Sequence, residues 1–92
     1  MAHTLRVELL RKLEVATAII KKDEVWQHTK TKGRYVIIGI GINEGNEDIQ
    51  VEYRELDHEP PITWHRSFDG KDGWIVPTEI EGLPAPRFTK IQ

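Results

Sequence analysis

The chain has 92 residues, with 13 basic and 15 acidic side chains, a formal charge of -2 and no cysteine. That length allows one domain with a small core, and chains this short often bury further surface against a partner subunit. The lack of thiols excludes disulfides, thiolate metal sites and cysteine nucleophiles, and the near-balanced charge gives no global field toward a nucleic-acid backbone or an anionic membrane, so any anion site must be local.

From the N-terminus, Glu8, Arg11 and Lys12 interrupt any apolar signal-peptide core, so a cytoplasmic protein is expected. Thr4 suits the cap of a helix running from Leu5 to about Lys22. At 100° per residue Leu5, Leu9, Leu13, Ala16, Ile19 and Ile20 share one stripe, with Glu8, Arg11, Glu14 and Lys22 outside it. Glu8 and Lys12 form a favourably oriented pair, and Lys21 with Lys22 suits a helix C-terminus. The stripe either packs on its own domain or forms a subunit interface. The four-three-four spacing of Leu9, Leu13, Ala16 and Ile20 is that of a helix-helix seam, which favours a homo-oligomer joined through this helix.

Val25 to His28 begins extended chain, and the polar stretch from Thr29 to Lys32 turns into the most apolar run of the sequence, Gly33 to Ile42. Aromatic and β-branched residues there predict a central, largely buried strand that is too short to span a membrane. Asn43 to Asp48 reads as a hairpin connection in which Gly45 and Asn46 tolerate positive φ. In the next strand, Ile49 to Leu56, the side chains of Ile49, Val51 and Tyr53 point one way and those of Gln50, Glu52 and Arg54 the other. Pro60 and Pro61 interrupt pairing between Asp57 and Pro61. Ile62 to Arg66 reads as a third strand, Phe68 to Gly73 as a turn-rich loop, Trp74 to Pro77 as a short extended piece at an edge, and the tail from Thr78 as an extended cover. Short strands joined by Gly, Pro and Asn turns predict a mainly β, α+β domain: one amphipathic helix in residues 1–24, then a small antiparallel barrel in residues 25–92.

Five short motifs stand in order: Trp26-x-His28-x-Lys30, Gly33-x-Tyr35-x-Ile37-x-Gly39, Val51-x-Tyr53-Arg54, Trp64-x-Arg66-Ser67 and Pro86-Arg87-Phe88. Together, from about Val25 to Phe88, they resemble a small bacterial and phage family catalogued as domain of unknown function number 1653. The resemblance implies an SH3-like small β-barrel and no established activity. Ser67 stands where that pattern has proline, the segment from Phe68 to Trp74 looks inserted, and the helix lies outside the match.

The chemistry legible in the residues is that of a binder. His28, His58 and His65 lack metal-ligand spacing, Gly39-x-Gly41 sits inside a strand with no helix after it, and Ser67 is in no nucleophile elbow. No metal, cofactor or catalytic residue is therefore expected, and no enzyme. The constellation that remains is Arg54, Trp64, His65, Arg66 and Arg87 with Tyr35, Tyr53 and Phe88, because guanidinium groups fork onto phosphates and aromatic faces stack on bases. On a structural reading the aromatic residues are core and Arg54 and Arg66 pair with nearby acids. On the functional reading six of these residues, Arg54, Arg66, Trp64, His65, Tyr35 and Arg87, bind a small anionic, nucleotide-like ligand, and the family resemblance suggests a phage-type accessory protein that sequesters such a ligand. A protein-protein adaptor is the alternative. A membrane partner is not expected, and a nucleic acid is disfavoured.

Overall fold

The structure, a computed structural model, describes residues 5–92. Helix α1 (Arg6–Ile19) is followed by β1 (Val25–His28), β2 (Arg34–Ile42), β3 (Ile49–Glu55), β4 (Thr63–Ser67), β5 (Thr78–Ile80), β6 (Leu83–Ala85) and β7 (Phe88–Lys90). The apolar run became β2, and it is the middle strand of a five-stranded sheet in the order β4-β3-β2-β1-β7, antiparallel throughout. Strands β5 and β6 form a separate two-stranded hairpin.

The sheet curls strongly. Four strand spacings would hold β4 and β7 roughly 19 Å apart if it were flat, yet Cζ of Arg66 in β4 lies 5.3 Å from the ring centre of Phe88 in β7. One source of the curl is the register shift between Ile37 and Gly39, because an extra residue on one strand bends it and tightens its twist. The shift also aligns Ile37 with Tyr53 and Ile40 with Val51, so both isoleucines reach the interior. No ladder joins β4 to β7, and the barrel is not closed.

The core is Ile37, Ile49, Val51, Tyr53, Phe68, Trp74 and Phe88, covered by Ala16 and Ile20 from the helical segment. Trp74 and Phe88 stack in parallel with centroids 3.7 Å apart, while Trp26 and Tyr53 meet Trp74 edge-on at 5.7 and 5.0 Å. Aromatic pairs in these geometries contribute about 0.5–1.5 kcal/mol beyond their buried area. The Nε1–H of Trp74 is buried without an acceptor. That orphan costs about 1–3 kcal/mol, which burial of so large a ring offsets.

Several sequence expectations change. The helix ends at Ile19, not Lys22, because Ile20 turns to φ -122° and buries its side chain while the Asp23 amide bonds to the Ile37 carbonyl, steering the chain into β1. Of the expected stripe Ala16 and Ile20 are buried and Leu9 and Leu13 half-buried, but Leu5 and Ile19 are exposed. Thr4, the expected cap, lies outside the described residues. In the β2–β3 connection Glu47, not Gly45 or Asn46, takes positive φ, and Asn43 Oδ1 accepts from the amides of Gly45 and Asn46.

Trp74 to Val76 is a run of turns, not extended chain, held by the amides of Trp74 and Ile75 bonding to the carbonyls of Ser67 and Phe68. Gly73 is required there, since a Cβ would lie 2.9 Å from the carbonyl oxygens of both Gly70 and Phe68. The tail does not merely run over the sheet. It makes the hairpin and then supplies β7, which pairs with β1 from Trp26↔Lys90 to His28↔Phe88.

Candidate functional site

Cross-strand partners share a face, so the register sorts the side chains of the sheet. The pairs Tyr35↔Glu55, Tyr53↔Trp64, Val51↔Arg66 and His28↔Phe88 place Tyr35, Tyr53, Glu55, Trp64, Arg66, His28 and Phe88 on the concave face. The pairs Glu52↔His65 and Arg54↔Thr63 belong to the opposite, convex face.

Two guanidinium groups converge at the concave face on Asp72. Arg66 donates from Nη1 to the Asp72 carbonyl at 2.7 Å and from Nε to the Tyr53 hydroxyl at 3.4 Å. Arg87 donates from Nε to the Val76 carbonyl at 3.1 Å, and its Nη2 lies 3.6 Å from the Asp72 carboxylate. Among the described residues no carboxylate lies within ion-pair distance of Arg66, so the single acid at this place serves Arg87. The arginines thus fasten the 68–77 loop to the sheet, Arg87 with an ion pair to Asp72 and Arg66 through neutral acceptors alone.

The neighbours register the charge of these arginines. The His28 imidazole is pushed below its ordinary pKa by burial first and then by the fields of Arg66, Arg87 and Lys30. Its Nδ1 accepts from the amides of Lys30 and Thr31 at 3.2 Å, which a proton on that nitrogen would abolish, and its ring stands edge-on to Phe88 at 5.0 Å. The Tyr35 phenol is raised by burial, with Tyr53 and Glu55 adding to the shift and Arg66 opposing it. Its ring meets Tyr53 edge-on at 5.1 Å.

A rim completes the surface. Trp64, 45% exposed, donates from Nε1 to Glu55 Oε2 at 3.2 Å, and the Ile62 amide donates to Glu55 Oε1 at 2.9 Å. Those two donors, the amide foremost, hold the Glu55 carboxyl below its usual range. The result is a rim of exposed Trp64 and half-buried Arg66 and Tyr35 over the buried rings of Tyr53 and Phe88. It can hydrogen-bond and charge-pair an anion and offer a face for stacking.

Of the six residues singled out from sequence, the fold brings Arg66, Trp64 and Tyr35 to one face and sets Arg87 beside them through Asp72. It separates the other two. Arg54 is exposed on the convex face, where its Nε donates to Thr63 Oγ1 at 3.1 Å, and His65 lines a small convex hollow of about 130 Å³ with Gly41, Ile42, Gln50 and Glu52. The physical reason is strand alternation: Arg54 follows Tyr53, and His65 precedes Arg66, so each points away from its neighbour. Missing from the constellation were His28 and Asp72, whereas Tyr53 was among its aromatic residues. Tyr53 and His28 stood in the motifs already noted, but Asp72 lay in a loop whose sequence carried no sign of its two arginine partners. Among the described residues no three or more His, Asp or Glu side chains gather as a metal site. Compared with family models, curated proteins and solved structures, nothing matches this chain.

Proposed function

We propose that the chain is a non-enzymatic binding module, an open SH3-like barrel whose concave face holds a small phosphorylated, nucleotide-like ligand. The carrying observation is Arg66, a guanidinium held in place by Tyr53 and the Asp72 carbonyl with no carboxylate partner in reach. A prepositioned, uncompensated fork favours a phosphate or carboxylate, because little rotamer freedom remains to be lost on binding. In this reading Arg66 grips the anion, Arg87 and His28 contribute field and hydrogen-bonding capacity beneath it, and Trp64 or Tyr35 supplies the stacking wall. Arg54 and His65 drop out of the site. In this reading the ligand is retained unchanged.

The competing adaptor reading has one observation in its favour. Trp64, 45% exposed, lies on the edge strand β4, and Ile62, 50% exposed, stands just before it, where a peptide could dock. Calorimetry against mono-, di- and cyclic nucleotides, followed by analysis of the recovered ligand, separates the cases. The binder gives one tight ligand recovered intact and weakened by Arg66→Ala. A consumed ligand means an enzyme, and a silent panel combined with a protein retained through Ile62 and Trp64 means an adaptor.

A further inference from the structure

Two apolar surfaces lie exposed among the described residues. On α1 the buried side is Ala16, with Leu9 and Leu13 half-buried. On the far side Val7, Arg11 and Val15 follow one another at intervals of four and so share a stripe, with Leu10 beside it. All three apolar members are exposed. Helix α1 packs only against β2 and β3.

The second surface belongs to the β5–β6 hairpin, which packs on no other strand and not on α1. A two-stranded hairpin alone is marginally stable in water, yet this one shows Leu83 at 70% exposure and Ile80 at 37%. Against its base lies an open groove of about 340 Å³ lined by Ile75, Pro77, Pro84, Ala85 and Pro86. Glu79 is exposed and is the cross-strand partner of Pro84, one of the groove's lining residues, on the hairpin face opposite to Ile80 and Leu83. The two surfaces also differ in charge. Residues 5–22 hold Arg6, Arg11, Lys12, Lys21 and Lys22 against Glu8 and Glu14, whereas residues 78–85 hold Glu79 and Glu81 with no base.

We propose that the groove receives α1 of a second copy of this chain, with Val7, Leu10 and Val15 in the groove and Arg11 against Glu79. An amphipathic helix laid into an apolar groove is a recurrent mode of recognition. Because each copy carries both halves of the contact, two copies related by a two-fold axis satisfy both at once, and otherwise the contact propagates around a ring.

The test is sedimentation of the full chain from low to high micromolar concentration, with circular dichroism to verify the fold of each variant. The expected result is an assembly larger than a monomer. Glu79→Arg or Arg11→Glu alone should weaken it about tenfold or more, and the double exchange should recover most of the loss, as a direct charge pair requires. Val15→Asp should dissociate it outright. A monomer throughout the range overturns the proposal. So does an assembly indifferent to both reversals, or one that the double exchange fails to restore. Arg11 and Glu79 are exposed, so these reversals leave the core untouched.

Discussion

The two faces of the curled sheet are made by the same strands and differ in almost everything else. The concave face carries Tyr35, Tyr53 and Phe88, tied to one another and to Trp74 by edge-on and stacked contacts, with Arg66 laid across the Phe88 ring. The convex face carries Gly39, Gly41, Glu52, Arg54 and His65, where a Cβ added at either glycine would meet nothing within 4 Å. Arg66 and Glu55 on the first face are held by fixed hydrogen-bond partners, while Arg54 and His65 on the second are exposed. Residue type alone therefore says little about role in this chain, and the face decides it.

The largest effect expected from that contrast is on stability. Phe88→Ala removes the ring that joins β7 to Trp74, Tyr53, His28 and Arg66, and should cost about 3–5 kcal/mol in denaturant unfolding. Retention of most of the stability would mean that β7 is not integral to the core. Arg66→Ala comes next: it should weaken nucleotide binding about tenfold to a hundredfold, the value of a lost charged hydrogen bond of about 1.5–3 kcal/mol, with Arg66→Lys restoring part of it. Affinity unchanged in both variants would make this arginine purely a fastener of the 68–77 loop. Gly73→Ala should destabilise by about 1–3 kcal/mol through the clash with two carbonyl oxygens, measurable as a lowered melting temperature.

Smaller still is the pH effect of His28. Its folded pKa lies below the unfolded value of 6.5, so the unfolded chain takes up the proton first. The associated stability is complete above about pH 6.5 and is lost as the pH falls through the folded pKa. The carboxyls of Glu24, Glu55 and Asp57, also depressed, add their losses at lower pH, below their ordinary values of 4.5, 4.5 and 3.8. His28→Gln should remove the upper step and leave the lower one. A bound anion would screen Arg66 and Arg87 and raise the His28 pKa, seen as a shifted imidazole titration by NMR. Least of all, Arg54→Ala and His65→Ala should change stability by no more than about 0.5 kcal/mol and leave nucleotide affinity alone. A marked loss of affinity in either would move the site to the convex face.

Much of the fold was legible in the residues because the signals are local. Period-two alternation from Ile49 to Glu55 gave both faces of β3, the apolar run gave β2, and paired prolines gave the break before β4. The seam of Leu9, Leu13, Ala16 and Ile20 identified the packed side of the helical segment, although its end depended on a hydrogen bond from Asp23 to Ile37 that belongs to the tertiary fold.

The sequence by itself determined the helix and the first four strands, their order along the chain and the residue types able to hold an anion. Only the tertiary structure decided that the tail returns as β7, that the 68–77 loop carries Trp74 into the core, and that Asp72 joins Arg66 to Arg87. It also decided that Arg54 and Arg66 are on opposite faces, since pairing register fixes which residues stand side by side. The physical reason is range. Alternation and turn chemistry act over a few residues, whereas these contacts close loops of many residues and depend on how far the sheet curls.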